Sequence, residues 1–549
     1  MSGNEFKRAS AAEPLPISRS SVGGDMAIAL ELVHHNPLAV SVEPGLEDDD
    51  PSDAKNGFAR RSPLLISLLD SFESQKVGYC CWKSSLRAPR GMTGASDLDL
   101  LVARPDRQKA IELLLAFGFK QWPDVSGCDH PAIASFLGWD ETTGLIHHVH
   151  IQYKIVFGHS LLKSFRLPAE DQFIARSVPH PTELLRVLHP VDEALLLVVR
   201  TQIESRWLDP IALRHRKKLC QKTANDLAAL APIVERADIR ERAAQLFSPG
   251  LADAIAGQLD LSGEEFWRRR IGRRIARELS AYRMHGGAEA FLRMLARDTL
   301  WAVRAINRRY LRWPHPWRRR APGGGVVISI VGLDGSGKST LVREVRRWLG
   351  AEVDVTPCYF GTGDGEPSLF FRPFKAVSRL VARLVRTRPR GASHGVVSDR
   401  PPGLGYSVLF AVWGIAAAIE KRQKILATQR GAGRGLVVVT DRYPQNEIPG
   451  FNDGPLLHRL LRCPAGLKRF EASVYEMAQR APPDLVIKLQ VGRETVVQRE
   501  PQMVKSIIDQ RIAWLNELTF ASTRVVSIDA TRPLEEVHRK AKREIWSIL

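Results

Sequence analysis

Gly332, Leu333, Asp334, Gly335, Ser336, Gly337, Lys338, Ser339 and Thr340 bring three glycines, a lysine and three hydroxyls together in one short stretch. The spacing GxxxxGK[ST] suits a polyphosphate. Gly335 and Gly337 free the backbone to turn its N–H groups around an anion, and a helix starting there adds the partial positive charge of its N-terminus. Lys338 then reaches the β and γ oxygens of a nucleoside triphosphate, and Ser339 is the natural Mg2+ ligand. ATP and Mg2+ are therefore the expected cofactors. Downstream, the run Gly435–Tyr443 (GLVVVTDRY) ends an apolar strand in Asp441 and Arg442. A carboxylate at that sheet edge holds magnesium, often through water, and the arginine pairs with phosphate.

The acceptor side decides the reaction. A phosphate-monoester acceptor has a second pKa near 6, so it is largely dianionic at neutral pH and needs no strong base. It needs positive charge instead, because two anionic groups must approach in line. Arg493, Arg499, Lys505 and Arg511 form a basic series on a helix, lid and helix that meets this need as a group, although ion pairs on a solvated face explain each one singly. Far upstream, Asp97 and Asp99 in GASDLDLLV share one face of a strand, where two carboxylates would hold metal for nucleotidyl transfer. The later strand LIHHVHIQYKIV offers His148, His150 and Gln152 where a third carboxylate is wanted. Metal ligation by these histidines is the minor reading and packing the major one.

These residues need scaffolds. At 549 residues the chain exceeds the roughly 250–300 at which single cores stop growing, so two or three domains are expected. Residues 1–60 mix Pro, Ser, Gly and an acidic run and are expected to be disordered. Residues 61–190 alternate short strands with helices, including the amphipathic RQKAIELLLAFGF, as an α+β domain. Residues 191–320 read as successive helices closed by the basic, Pro- and Gly-rich linker LRWPHPWRRRAPGGG. Residues 321–549 place VVISIV, VVVT, DLVIKL and VVSID as buried strands between helices, an α/β fold with a doubly wound parallel sheet.

The net charge of +19 favours an anionic partner, with a nucleotide substrate expected first. Trp267, Arg268–Arg270, Arg273, Arg274, Trp313, Trp317 and Arg318–Arg320 would suit nucleic acid or an anionic membrane surface, but a solvated helix face and linker is the favoured account. Six scattered cysteines and an N-terminus without a signal-peptide core point to the cytoplasm. The apolar window Tyr406–Ile419 is too short for the roughly 20 residues that span a bilayer, and is expected to be a buried helix. A homodimer is left open.

The order GLDGSGKST, DRY, PPDLVIKLQVGRETVVQRE and VVSIDATRPLEEV resembles the thymidylate kinases over residues 325–549. That resemblance implies a P-loop fold and transfer of the ATP γ-phosphoryl group to thymidine monophosphate. It makes Lys338 the phosphate lysine, Ser339 the Mg2+ ligand, Asp334 the carboxylate near the acceptor sugar, Asp441 and Arg442 the DRY pair, and Arg499 the lid arginine. Two departures fall on the acceptor pocket. TPCYFGTGDGEPS stands in place of an EPG-type turn, and PQNEIPGFNDGPLL stands in place of the segment that packs around thymine. Phe360, Asn452 and Asp453 thereby become candidates for reading a different acceptor, with core packing and turn chemistry the competing account. GASDLDLLV resembles polymerase-β-type nucleotidyltransferases, which implies a related fold for residues 61–190, kept for binding or structure. The alternatives are a kinase for another phosphorylated or sugar-linked acceptor, a nucleotide-binding regulatory protein, and a nucleotidyltransferase acting through Asp97 and Asp99.

Overall fold

The computed structural model describes residues 61–123, 130–158, 163–205, 210–261, 265, 270–311, 315–361, 404–460, 463–501, 505–520 and 523–549. The 1–60 segment, Trp267, Arg268, Arg269, Trp313 and the part of the altered turn from Thr362 to Ser368 lie outside these residues. The described residues all belong to one compact unit, Ala54–Leu549.

The first half is built on strands β1 (Tyr79–Cys81), β2 (Leu98–Val102), β3 (Lys120–Gln121), β4 (Ile133–Asp140) and β5 (Leu145–Gln152), a separate antiparallel pair β6 (Ile155–Phe157) and β7 (Phe165–Leu167), then β8 (Val178–Pro179) and β9 (Arg186–Val187). All but β6 and β7 form one mixed sheet in the order β3-β4-β5-β2-β1-β9-β8. Alternation along the strands divides its two faces. Tyr79, Cys81, Leu98, Leu100 and Val102 join a core with the helices Pro63–Ser74 and Arg107–Ala116. Cys80 and Leu101 point the other way, into a core with Leu195, Leu227, Ile239, Leu251 and Ile275. The helical stretch after residue 190 thus covers one face of this sheet. Helix Pro63–Ser74 starts where it does because Pro63 has a preset φ at the first helical position and the Ser62 hydroxyl accepts from Leu65 N.

The second sheet is wholly parallel. Its strands are β10 (Val326–Gly332), β11 (Val355–Tyr359), β12 (Val437–Asp441), β13 (Leu485–Gln490) and β14 (Arg524–Asp529), in the order β11-β12-β10-β13-β14. Runs of Val, Ile and Leu suit β10, β12 and β13, because helices cover both faces and leave these central strands almost continuously buried. VVSID departs from the expected burial. It forms the edge strand β14, and an edge strand has only one strand neighbour, so most of its residues stay partly exposed. The apolar window Tyr406–Ile419 departs too: it lies in helix Leu404–Gly433, and Val408 and Val412 are about half exposed. Among the described residues no helix is long and apolar enough to cross a membrane.

The basic triplet Arg318–Arg320 is not a solvated linker. Asp354 Oδ2 accepts from the backbone N–H groups of Trp317 and Arg318 at 2.6 Å each, and Arg319 is buried against Glu352 and His148. Trp122 and Leu137 of the first half share one hydrophobic core with β10, β12 and β13.

Candidate functional site

β10 delivers the glycine loop to the carboxyl edge of the parallel sheet, next to the end of β12, where its Ile330 pairs with Asp441. Ligands of such sheets bind at this edge, where neighbouring strands continue to opposite sides. Gly335 and Gly337 have φ of +78° and +92°, a left-handed conformation that glycine adopts without strain. Gly332 is needed for closeness: a Cβ there would meet Ser336 Oγ at 2.5 Å and Leu489 O at 3.0 Å. Helix Lys338–Gly350 begins directly after the loop.

Lys338 is buried and curls back on its own loop, with Nζ 2.7 Å from Leu333 O and 3.7 Å from Asp334 Oδ1. Burial pushes its pKa down, and the Asp334 carboxylate opposes that shift. Ser339 Oγ donates to Asp441 Oδ2 at 3.0 Å, and Asp441 Oδ1 is buried with no hydrogen-bond partner among the described residues. Burial raises the Asp441 pKa against the pull of Lys338. A hydroxyl and a carboxylate so placed are two hard oxygen ligands, with one oxygen still unsatisfied, and they fit Mg2+ beside phosphate oxygens. Thr340 is exposed on the first turn of the helix.

Asp334 gathers the surrounding cations. Arg442 reaches it at 2.8 Å, Arg511 at 3.6 Å and Lys338 at 3.7 Å. Arg442 itself takes φ +68°, which is rare for a side chain of this size and is the kind of strain found at functional sites. Arg499 donates to Gly335 O at 3.0 Å, so the proposed lid arginine touches the loop. Arg493 instead pairs with Asp509 at 2.9 Å, and the side chain of Lys505 lies outside the described residues.

The acceptor candidates separate. Phe360 is buried edge-on against Tyr443, with ring centroids 5.3 Å apart, so it is core. The Asp453 side chain is only 3% exposed: its Oδ2 is 3.9 Å from Arg442 Nη1, and its Oδ1 is 3.5 Å from Lys421 Nζ. Lys421 also donates to Tyr475 Oη at 2.8 Å, and burial lowers its pKa against the Asp453 charge. Asn452 and Asp453 both have positive φ, and Asn452 Nδ2 is buried without a partner among the described residues. Lys421 is a site residue that the sequence pattern does not single out. It follows an apolar run in a long helix, and only its distant neighbours mark it as part of the site.

The upstream carboxylates occupy a second cluster. Asp97, immediately before β2, lies 2.8 Å from His148 Nδ1 and 3.3 Å from His150 Nε2. Burial would raise the Asp97 pKa, but the His148 charge and the histidine hydrogen bonds outweigh it and hold the carboxyl well below the usual range. Burial pushes His150 down to about 4. Asp99 is engaged elsewhere, by Lys83 at 2.6 Å and Gln152 at 3.3 Å.

Two Escherichia coli K12 proteins resemble this chain. The uncharacterized ATP-binding protein YghS is 28% identical over 230 residues, 41% of this chain and 93% of YghS. The uncharacterized ATP-binding protein YghR is 26% identical over 224 residues, 40% of this chain and 86% of YghR. No protein-family profile matches the chain.

The first cluster combines a loop with two left-handed glycines, a buried lysine, a hydroxyl–carboxylate pair and three arginines. That set can hold a polyphosphate with its cation and offset the charge of a second anion.

Proposed function

We propose that this chain is a cytoplasmic, ATP-dependent P-loop phosphotransferase, whose residues 321–549 move the γ-phosphoryl group of ATP to a nucleoside monophosphate, with thymidine monophosphate the leading acceptor. The observation that carries this reading is the Ser339–Asp441 contact beside Lys338 at the end of the glycine loop. The names of YghS and YghR add support for ATP as the nucleotide.

Loop amides and Lys338 bind the triphosphate, and Lys338 leaves Leu333 O for the β and γ oxygens. Ser339 and, through water, Asp441 would hold Mg2+, which would supply positive charge to offset that of the triphosphate. Arg442 orients the acceptor phosphate, while Arg499 and Arg511 offset charge on the moving group. An acceptor phosphate oxygen attacks the γ-phosphorus, the bond to the β–γ bridging oxygen breaks, and ADP departs. No protein base is required, since the acceptor oxygen is already ionised.

The Asp453 carboxylate beside Arg442, whose Oδ2 has no hydrogen-bond partner among the described residues, favours a second reading, a phosphorylated acceptor whose sugar-like hydroxyl donates to that carboxylate. Purified protein incubated with γ-labelled ATP and Mg2+ across nucleoside monophosphates and sugar phosphates separates the two. Transfer to thymidine monophosphate that is lost in Lys338→Ala supports the first reading. Transfer only to a hydroxylated sugar phosphate supports the second. ATP binding with no transfer to any acceptor would leave a regulatory nucleotide-binding protein. Nucleotide incorporation lost only in Asp97→Ala would move the activity to the first half.

A further inference from the structure

Three side chains of different kinds converge on the mixed sheet, away from the glycine loop. One carboxylate oxygen of Asp97 and one ring nitrogen from each of His148 and His150 all lie within 4.8 Å of one another. Ligands placed tetrahedrally at about 2.0–2.1 Å from a zinc ion stand roughly 3.4 Å apart. His148 Nδ1 stands 2.8 Å from Asp97 Oδ1 and His150 Nε2 3.3 Å from Asp97 Oδ2, so each ring already lies near ligand spacing from one oxygen of that carboxylate.

The backbone explains the convergence. His148 and His150 are two apart on β5, so both side chains leave the same face. β2 runs parallel to β5 with Asp99 opposite His150, which brings Asp97 beside the two rings. Ser135 Oγ lies 3.4 Å from His150 Nδ1 and orients that ring with Nε2 toward Asp97, the arrangement in which a ligand's second nitrogen is fixed by a neighbour. Asp99, bound by Lys83 and Gln152, stands outside the group.

We propose that Asp97, His148 and His150 bind one divalent transition-metal ion of the zinc type. Two imidazoles and one carboxylate suit such ions, whereas Mg2+ prefers oxygen ligands and retains its waters. Charge is compatible with this assignment. Arg319 Nη2 lies 3.3 Å from both ring nitrogens of His148, but Glu352 pairs with Arg319 at 2.8 Å and its carboxylate is 3.7 Å from His148 Nδ1. Two carboxylates thus face one guanidinium before the metal arrives. Arg319 and Glu352 flank the parallel sheet, so the metal sits where the two sheets meet.

The test uses the full chain, stripped with a chelator and titrated with Zn2+ and Co2+ by calorimetry, with Co2+ followed also by its visible absorption. One equivalent is expected to bind, at least about 100-fold more tightly than Mg2+. The double variant His148→Ala/His150→Ala should weaken that binding by more than about 100-fold, since losing even an outer-shell partner typically costs 10–100-fold. Asp97→Asn, which preserves volume, should weaken it and alter the Co2+ spectrum, so the test survives poor folding of the double variant. Lys338→Ala should bind as the parent does. The proposal is overturned if the folded parent shows no stoichiometric site, or if folded Asp97→Asn binds Co2+ unchanged. Neither outcome depends on phosphoryl transfer.

Discussion

Ser339 Oγ lies 3.0 Å from Asp441 Oδ2, across 102 positions of sequence. The contact joins the first turn of the loop helix to the last residue of β12. If both oxygens serve one Mg2+, their removal must be non-additive. Ser339→Ala and Asp441→Asn are each expected to lower kcat/KM by roughly 100-fold or more, and the double variant by little more than the worse single one. Initial rates across a Mg2+ titration measure this, and multiplicative losses would show that the residues do not share an ion.

Asp441 should also oppose stability. Burial raises its folded pKa above the unfolded value, so its linked stability is fully present below the unfolded pKa, near 4, and is lost as pH rises through the folded pKa. Above the unfolded pKa the ligand-free protein therefore carries the cost of burying this acid. Asp441→Asn is expected to melt higher than the parent at pH 7 without nucleotide, with the difference shrinking toward pH 4. Thermal scans at both pH values check the sign, and a lower melting temperature at pH 7 would refute it.

The two loop glycines should respond differently to a methyl group. Gly337 has φ +92° and open space where a Cβ would stand, so Gly337→Ala carries only backbone strain, about 1–2 kcal/mol. At Gly335, with φ +78°, the Cβ would also meet Glu500 Cγ at 3.0 Å and Arg499 Cβ at 3.3 Å. Gly335→Ala is therefore expected to cost more in urea denaturation and to displace Arg499 from Gly335 O. Equal losses for the two variants would show that the Arg499 segment yields freely.

Local pattern made part of this site legible. The loop, its buried strand and its helix are set by neighbours within about ten residues, and a Val-rich strand ending in Asp-Arg marks Asp441 and Arg442 in the same way. Charge partners far apart in sequence left no such trace. Lys421 and Asp453 meet only because helix Leu404–Gly433 and the loop after β12 pack together, and neither residue lies in a periodic pattern. His148 and His150 were legible as one face of a strand, but their contact with Asp97 depends on the parallel register of β2 and β5. Arg319 looked solvated because composition alone describes its segment, while its burial depends on Glu352 and His148 from different halves. Edge position, which leaves β14 half exposed, is likewise a property of sheet order and not of the VVSID residues.

Trp348 is the clearest physical link between the halves. It lies on the helix that begins at Lys338, and its ring meets Trp139 of β4 edge-on, with centroids 6.0 Å apart at 72°. The Trp546 ring lies tilted at 58° to it with centroids 6.3 Å apart, and Lys542 Nζ lies 5.4 Å from the Trp348 ring centre. Removing a large buried aromatic costs about 3–5 kcal/mol, and an aromatic pair adds about 0.5–1.5 kcal/mol beyond its area. Trp348→Ala is thus expected to destabilise the parallel-sheet half by about 3–5 kcal/mol. Because Trp122 and Leu137 share the same core, the loss should also loosen the junction. Calorimetry is expected to resolve the melting of Trp348→Ala into two transitions where the parent shows closer coupling. Trp139→Ala should produce the same separation from the opposite side, and the double variant should fall short of the summed losses by about 0.5–3 kcal/mol. Strict additivity, with an unchanged transition shape, would mean that the tryptophans pack within their own halves and transmit nothing across the junction.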